Sequence, residues 1–237
     1  MTIIYRAPIY TFLQYLKRHD VLDECGKSVL DCGAGGRTPA LGLFHELGFQ
    51  TAGIDISDEQ ITLATKFEHD HHMNLHIQKG DMRAIPFPDA HFDIVYELYS
   101  MVHLTKADIR QAMAEMKRVL KPGGYCYLSF MSSDCFPMIG KEGAPGEFHG
   151  LEHGHQVVHS TFSDAEAMQF CTGWKILENT KLTISNPQDI EDTSLQEWEQ
   201  FFEENQPSVS KEEWMQIYPQ RVEKWQFIHN FFILQKA

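Results

Sequence analysis

Between Ser28 and Leu43 the chain reads SVLDCGAGGRTPALGL, an order of residue types that suits a ligand-binding bend. A short apolar run, Val29 and Leu30, ends in the acid Asp31. Gly33, Ala34, Gly35 and Gly36 follow before a helical pattern begins. Gly33 and Gly35 lack a Cβ, so the chain can turn sharply there and let a ligand touch main-chain atoms. Two further acids stand where chemistry is expected: Asp55 at the end of the apolar run in AGIDIS, and Asp81 in GDMRAIPFPDAHFD. A carboxylate at Asp55 can accept two hydrogen bonds from a ribose diol. Asp81 ends a loop and can accept from the exocyclic amine of a base. A fourth stretch, YELYSMVHL from Tyr96 to Leu104, leaves the next apolar run.

Two ligand classes fit such a set. A dinucleotide fingerprint reads G-x-G-x-x-G, but the sixth position counted from Gly33 is Thr38. Asp31 would also stand beside a pyrophosphate and repel it. A nicotinamide-dependent oxidoreductase is therefore the disfavoured alternative. A phosphate-free nucleoside that carries an amino acid, S-adenosylmethionine, suits the residues better, because Asp31 attracts its sulfonium and ammonium.

These four stretches need a scaffold that brings them to one edge, and an open α/β sheet does so beyond the C-terminal ends of its strands. Strand and helix patterns alternate from Ser28 onward. Strands are expected at 28–32, about 51–54, 75–78, 92–96 and 125–130. Helices are expected at about 39–47, after Ser57-x-x-Gln60, and after Thr105-x-x-Asp108, where Ile109, Ala112, Met113, Met116 and Leu120 form an apolar stripe. This spacing predicts a parallel sheet with right-handed crossovers. An amphipathic helix with Ile9, Phe12, Leu13 and Leu16 on one face precedes it. Residues 131–160, rich in Gly, His and Pro, read as a long irregular insertion. Ser163-x-x-Glu166 opens another helix, and Trp174 to Ile184 is a late strand. Acidic helical patterns follow near 195–205 and 211–222, and 227–235 closes as a strand.

Four motifs, VLDCGAGG, GIDIS, GDMRAIPFPDAHFDIVY and RVLKPGGYCYLSF, occur in order and at the spacings of class I S-adenosylmethionine-dependent methyltransferases. Over about residues 25–130 the chain resembles the small-molecule branch typified by the ubiquinone/menaquinone-biosynthesis enzymes. The resemblance implies a Rossmann-like, seven-stranded, mostly parallel sheet with helices on both faces and the last strand antiparallel. It also implies a site. Asp31, Gly33, Ala34 and Gly35 would line the methionine end, with the Gly33 carbonyl on the ammonium. Asp55 would hold the ribose and Ile56 would pack on the adenine. Asp81 would accept from the adenine amine while the Met82 backbone N–H meets a ring nitrogen. Glu97 and Leu98 would pass beside the methionine moiety. The family's third loop glycine is Arg37 here, which either points outward or meets the ligand carboxylate.

The implied reaction moves a methyl group to a small-molecule acceptor by in-line substitution, leaving S-adenosylhomocysteine. A non-catalytic module that holds this nucleoside is the alternative, and an open acceptor pocket would separate the two. Orientation alone can supply about 7–11 kcal/mol of such a barrier. A general base helps when the acceptor is a hydroxyl or thiol, and His is the favoured type. His149, His153 and His155, with His159, lie on the insertion expected to cover the cleft; Tyr99, Tyr5, Tyr10 and Met131 could also line an acceptor pocket. The spacing of those histidines matches no common zinc pattern, so no metal is expected.

The remaining numbers set bounds. The 237 residues carry 20 Lys plus Arg against 33 Asp plus Glu, a net charge of −13, which argues against nucleic acid or an anionic membrane surface as partner. The five cysteines form no C-x-x-C pair and nothing reaches membrane-spanning length, so a cytoplasmic protein with free thiols is expected. No pattern speaks to oligomeric state. One methyltransferase domain is expected over 1–237. It would consist of an N-terminal helical cap (1–24), a cofactor-binding core (25–130), the insertion (131–160) and a C-terminal part (161–237) with an acidic helical insertion at about 189–222.

Overall fold

The computed structural model describes residues 3, 5, 7–24, 27–136, 138, 140–152, 155–184, 194–205, 210–220 and 226–237. Its strands are β1 (Ser28–Cys32), β2 (Gln50–Asp55), β3 (Ile77–Lys79), β4 (Phe92–Tyr96), β5 (Leu120–Ser132), β6 (Lys141–Glu142), β7 (Glu147–Glu152), β8 (His155–Phe162), β9 (Lys175–Ile184) and β10 (Phe227–Gln235). Its helices are α1 (Ala7–Arg18), α2 (Val21–Glu24), α3 (Leu41–Glu46), α4 (Asp58–His71), α5 (Lys106–Val119), α6 (Asp164–Phe170), α7 (Leu195–Asn205) and α8 (Lys211–Ile217).

β1 lies between two parallel neighbours, β2 and β4, which explains why SVLDC is nearly all buried. β3 pairs with β2, and β5 with β4, both in parallel. β10 then runs antiparallel between β5 and β9. The resulting order, β3-β2-β1-β4-β5-β10-β9, is the mostly parallel, seven-stranded body with an antiparallel last strand.

Period-two alternation sends Leu30 and Cys32 to one face and Val29 to the other. The first face packs against the α5 stripe Ile109, Ala112, Met113, Met116 and Val119 and against Phe170 of α6. The second packs against Ile9, Phe12 and Leu16 of α1, Phe44 of α3 and Phe67 of α4. Phe12 stacks on Tyr127 at 4.7 Å, and the Tyr127 hydroxyl donates to the Pro8 carbonyl at 3.1 Å, which pins α1 across the sheet. Ser57, Thr105 and Ser163 cap their helices as N-cap residues, each accepting from the backbone N–H three residues on. Cys32, Cys126, Cys135 and Cys171 are buried and free, and burial pushes each thiol up.

The structure departs from the sequence expectation most clearly at 131–160. Among its described residues this region is mostly strand. β5 extends to Ser132, and β6, β7 and β8 form an antiparallel meander joined to the sheet where Thr161 and Phe162 pair with Met131 and Ser132. Three strands are thus added to the seven. The KPGG stretch is also strand: α5 passes directly into β5 at Leu120, with a register irregularity between Phe92 and Ile94 opposite. The helix expected over 211–222 is α8, ending at Ile217, followed by a 3-10 turn at Tyr218–Gln220; residues 221 and 222 lie outside the described ones.

Candidate functional site

The sheet order reverses between β1 and β4, so their C-terminal ends leave a crevice. A cavity of about 1520 Å³ occupies it. Asp31, Gly33, Gly35, Asp55, Ile56, Asp81, Met82, Leu98 and Tyr99 all line this cavity.

The glycine bend is sewn to its neighbours by main-chain bonds. The N–H groups of Gly33 and Ala34 both donate to the Ile54 carbonyl, at 2.8 and 2.9 Å, and that of Gly36 donates to the Gln60 carbonyl at 2.9 Å. Gly33 has φ +103°, and a Cβ there would run into Ser100 Oγ. We therefore expect Gly33→Ala to cost about 1–3 kcal/mol from backbone strain alone. Urea unfolding should report it as a lowered midpoint with unchanged slope. Ala34, expected to line the site, is instead buried behind the bend in the apolar core and does not line the cavity.

Asp55 ends β2 and holds two elements at once. Its Oδ2 accepts from Gly35 N–H and its Oδ1 from Ser57 N–H, both at 2.9 Å. Each oxygen keeps a lone pair for a diol. Ile56 beside it is 62% exposed, a large apolar side chain left facing the cavity. Asp31 is buried, lines the cavity and lies beside the buried Tyr96. Arg37 is exposed at the rim.

Asp81, expected to accept from an adenine amine, lines the cavity and is already engaged by the protein. Arg83 grips it: Nε donates to both carboxylate oxygens at 3.0 Å and Nη2 donates to Oδ2 at 2.7 Å. The Arg83 backbone N–H adds a bond to Oδ1 at 2.9 Å. The guanidinium holds the carboxyl below its ordinary value, despite partial burial. Arg83 Nη1 also donates to Asp108, at 3.2 Å.

Glu97 does not line the cavity, which corrects the expectation that it passes beside a ligand. Its carboxylate is fully buried beneath the 3-10 turn Met101–His103. Oε2 accepts from the N–H groups of Ser100 and Met101 at 3.0 and 3.1 Å, and Oε1 from that of Ser129 at 2.7 Å. Burial pushes its carboxyl up, against the pull of those bonds. Glu97 thereby ties the β4 loop to β5.

The other side of the cavity is less charged, formed by Tyr5, Leu98, Tyr99, His103, Leu104, Val157 and Val158. Tyr99 has φ +65°, a costly backbone for a bulky residue, and its ring meets His229 edge-on at 4.9 Å. Burial pushes His229 down to about 4, so a neutral imidazole supports that phenol. Among the histidines expected here, His149 is exposed on β7 and does not line the cavity. His153 lies outside the described residues, and His155 begins β8. Met131 and Tyr10 do not line it either. His103, Val157 and Val158 were not singled out from sequence. His103 sits in YELYSMVHL, and its ring lies 5.1 Å from that of His159 across the gap to β8. The β-branched pair Val157-Val158 was the available sign of a strand. Among the described residues no group of three or more His, Cys, Asp or Glu could hold a metal. No helix among them is long and apolar enough to cross a membrane.

A glycine bend after the central strand, an acid ending the next, and a cavity at the switch point are the features of a Rossmann-like domain. Residues 30–128 match the family described as a methyltransferase domain. Sterol 24-C-methyltransferase of Pneumocystis carinii is 29% identical over 180 residues, covering 73% of this chain and 46% of that protein. The ubiquinone/menaquinone biosynthesis C-methyltransferase UbiE of Laribacter hongkongensis is 36% identical over 102 residues, covering 42% and 41%. The chain thus spans less than half the length of these curated relatives. A solved SAM-dependent methyltransferase of Methanosarcina mazei superposes with a TM-score of 0.61 at 18% identity, covering 89% of this chain and 92% of that one, and shares the fold.

Proposed function

We propose that the chain is an S-adenosylmethionine-dependent methyltransferase that acts on a small-molecule acceptor, as a single domain. The observation that carries this reading is the cavity itself. It joins a polar side, with Asp31, the glycine bend, Asp55 and Asp81, to a side bounded by Tyr5, Leu98, Tyr99, Val157 and Val158. Its volume exceeds the roughly 300–1,000 Å³ of ordinary small-ligand pockets, which leaves room for a second molecule. A module that only stores the nucleoside has no use for that space.

When bound, S-adenosylmethionine supplies a methyl group that is already electrophilic, so the chain's task is placement and exclusion of water. Asp31 attracts the cationic end, and the bend offers main-chain groups without side-chain obstruction. Asp55 accepts from the ribose hydroxyls while Ile56 covers one face of the base. On the acceptor side the β8 segment that carries Val157 and Val158 bounds the cavity. On this reading the His103 imidazole, which lines the cavity, has the role of taking a proton from an acceptor hydroxyl or thiol. A nicotinamide ligand is disfavoured because Asp31 faces the site where a pyrophosphate would lie. The four described cysteines, free and buried, suit a reducing compartment.

Transfer of tritiated methyl from S-adenosylmethionine to a pool of small-molecule acceptors tests the reading, together with calorimetry against S-adenosylhomocysteine and NAD. Binding of S-adenosylhomocysteine with label in a small-molecule fraction supports it. Heat with NAD alone, or with neither, rejects it. For a hydroxyl or thiol acceptor, His103→Gln should lower turnover by about 10²-fold, the lower end for a general base. It should leave S-adenosylhomocysteine affinity within twofold. Unchanged turnover removes His103 from the proton path.

A further inference from the structure

The side chain expected to read the adenine is already occupied by the protein. Asp81 has about four acceptor positions. Three N–H donors of Arg83 are directed at them, and Nε–H straddles the two oxygens. The fork that an exocyclic amine would use is thus filled by a guanidinium. That guanidinium has a second home, because Nη1 already reaches Asp108 in the first turn of α5. All three side chains line the cavity and are about one-third exposed. Exchange between partners therefore needs rotation of one accessible side chain and no backbone movement. The Arg83 carbonyl is held by Gln111 Nε2 at 2.9 Å, which fixes the main chain while the side chain turns.

Building on the nucleoside reading above, we propose that Arg83 is a latch on the base subsite. It competes with the adenine amine for Asp81 and moves fully onto Asp108 when the ligand enters. Arg83 then sets affinity and selectivity for an amino-purine without needing to touch it. Two consequences follow from the geometry. Removing the guanidinium frees Asp81 and tightens binding of a ligand that carries the amine. Removing the Asp108 charge takes away the alternative partner, holds Arg83 on Asp81 and weakens binding. A ligand whose base has a carbonyl in place of the amine sets an acceptor where the amine stood and gains less from a freed carboxylate, having only its ring N–H to offer.

Calorimetry with S-adenosylhomocysteine and S-inosylhomocysteine on the wild type, Arg83→Met and Asp108→Asn tests this. Arg83→Met should bind S-adenosylhomocysteine about three- to fivefold more tightly, the worth of a part-exposed ion pair, and Asp108→Asn should bind it more weakly by a similar factor. S-inosylhomocysteine should gain less from Arg83→Met than S-adenosylhomocysteine does. Weaker or unchanged binding of S-adenosylhomocysteine to Arg83→Met overturns the latch, the first because Arg83 would then be a direct ligand contact. Equal tightening of both ligands overturns it too, since the amine would not be what Arg83 competes with. If the wild type itself takes up no S-adenosylhomocysteine, the nucleoside reading fails instead, so the two failures are distinguishable. Thermal unfolding of both variants without ligand checks that each is folded.

Discussion

Asp55→Asn should weaken S-adenosylhomocysteine binding by about a hundredfold or more, measured by calorimetry. The wild-type carboxylate accepts at both oxygens, from Gly35 N–H on one side and Ser57 N–H on the other. An amide offers one oxygen and one NH₂, so in either orientation a donor faces a donor. The variant loses the charge that strengthens bonds to a ribose diol, each worth about 1.5–3 kcal/mol when the acceptor is ionised. It also releases either the glycine bend or the start of α4. Both effects fall on the ligand, because Gly35 lines the cavity beside Asp55. A variant that binds within threefold of the wild type would falsify the ribose role. Asp55→Ala separates the contributions: it leaves both N–H groups to water and should lose affinity with little donor–donor clash.

The largest effect on stability is expected at Glu97. Glu97→Gln places an NH₂ against Ser129 N–H or against the N–H pair of Ser100 and Met101, in a site with no access to water. Leaving buried donors without an acceptor costs about 1–3 kcal/mol each, so a total of about 2–4 kcal/mol is expected. In a chain of this length that lowers Tm by about 5–15 °C. The pH dependence has a definite sign. Burial raises the native carboxyl above its ordinary value of 4.5. The stability linked to proton uptake is therefore fully present below 4.5 and is lost as pH rises through the native value. A protonated carboxyl still accepts at its oxygens, and the Ser129 hydroxyl, which donates to Oε1 at 3.3 Å, can turn to accept a hydrogen bond from its O–H, whereas an amide NH₂ does not accept. The wild type's advantage over Glu97→Gln should therefore be greatest in acid and narrow as pH rises. An advantage that grows with pH would show that the carboxylate is the favoured native form.

Much of the site was legible in the sequence because its signals are local. Asp31, Gly33, Asp55 and Asp81 each stand within a few residues of a strand end, and a strand end fixes where the next side chains go. The sheet body was legible for the same reason, through alternating periods of two and about four residues. The meander β6-β7-β8 was not. Its residues HQVVHSTF mix polar and apolar types on both faces, and its pairings are set by partners far along the chain. His103 escaped notice because it stands in a single 3-10 turn, which has no period to read.

What the chain's order of residues determined by itself was a row of acids and a side-chain-free bend at one edge of a parallel sheet. Backbone sterics and alternation place those groups wherever such strands form. Tertiary structure decided which of them line the cavity. Packing of the 3-10 turn turned Glu97 inward onto backbone donors, α5 brought Asp108 within reach of Arg83, and the added strands put Val157 and Val158 across from Tyr99. These outcomes depend on contacts between segments distant in sequence, where hydrogen-bond satisfaction and close packing choose among orientations that the local chain leaves equal.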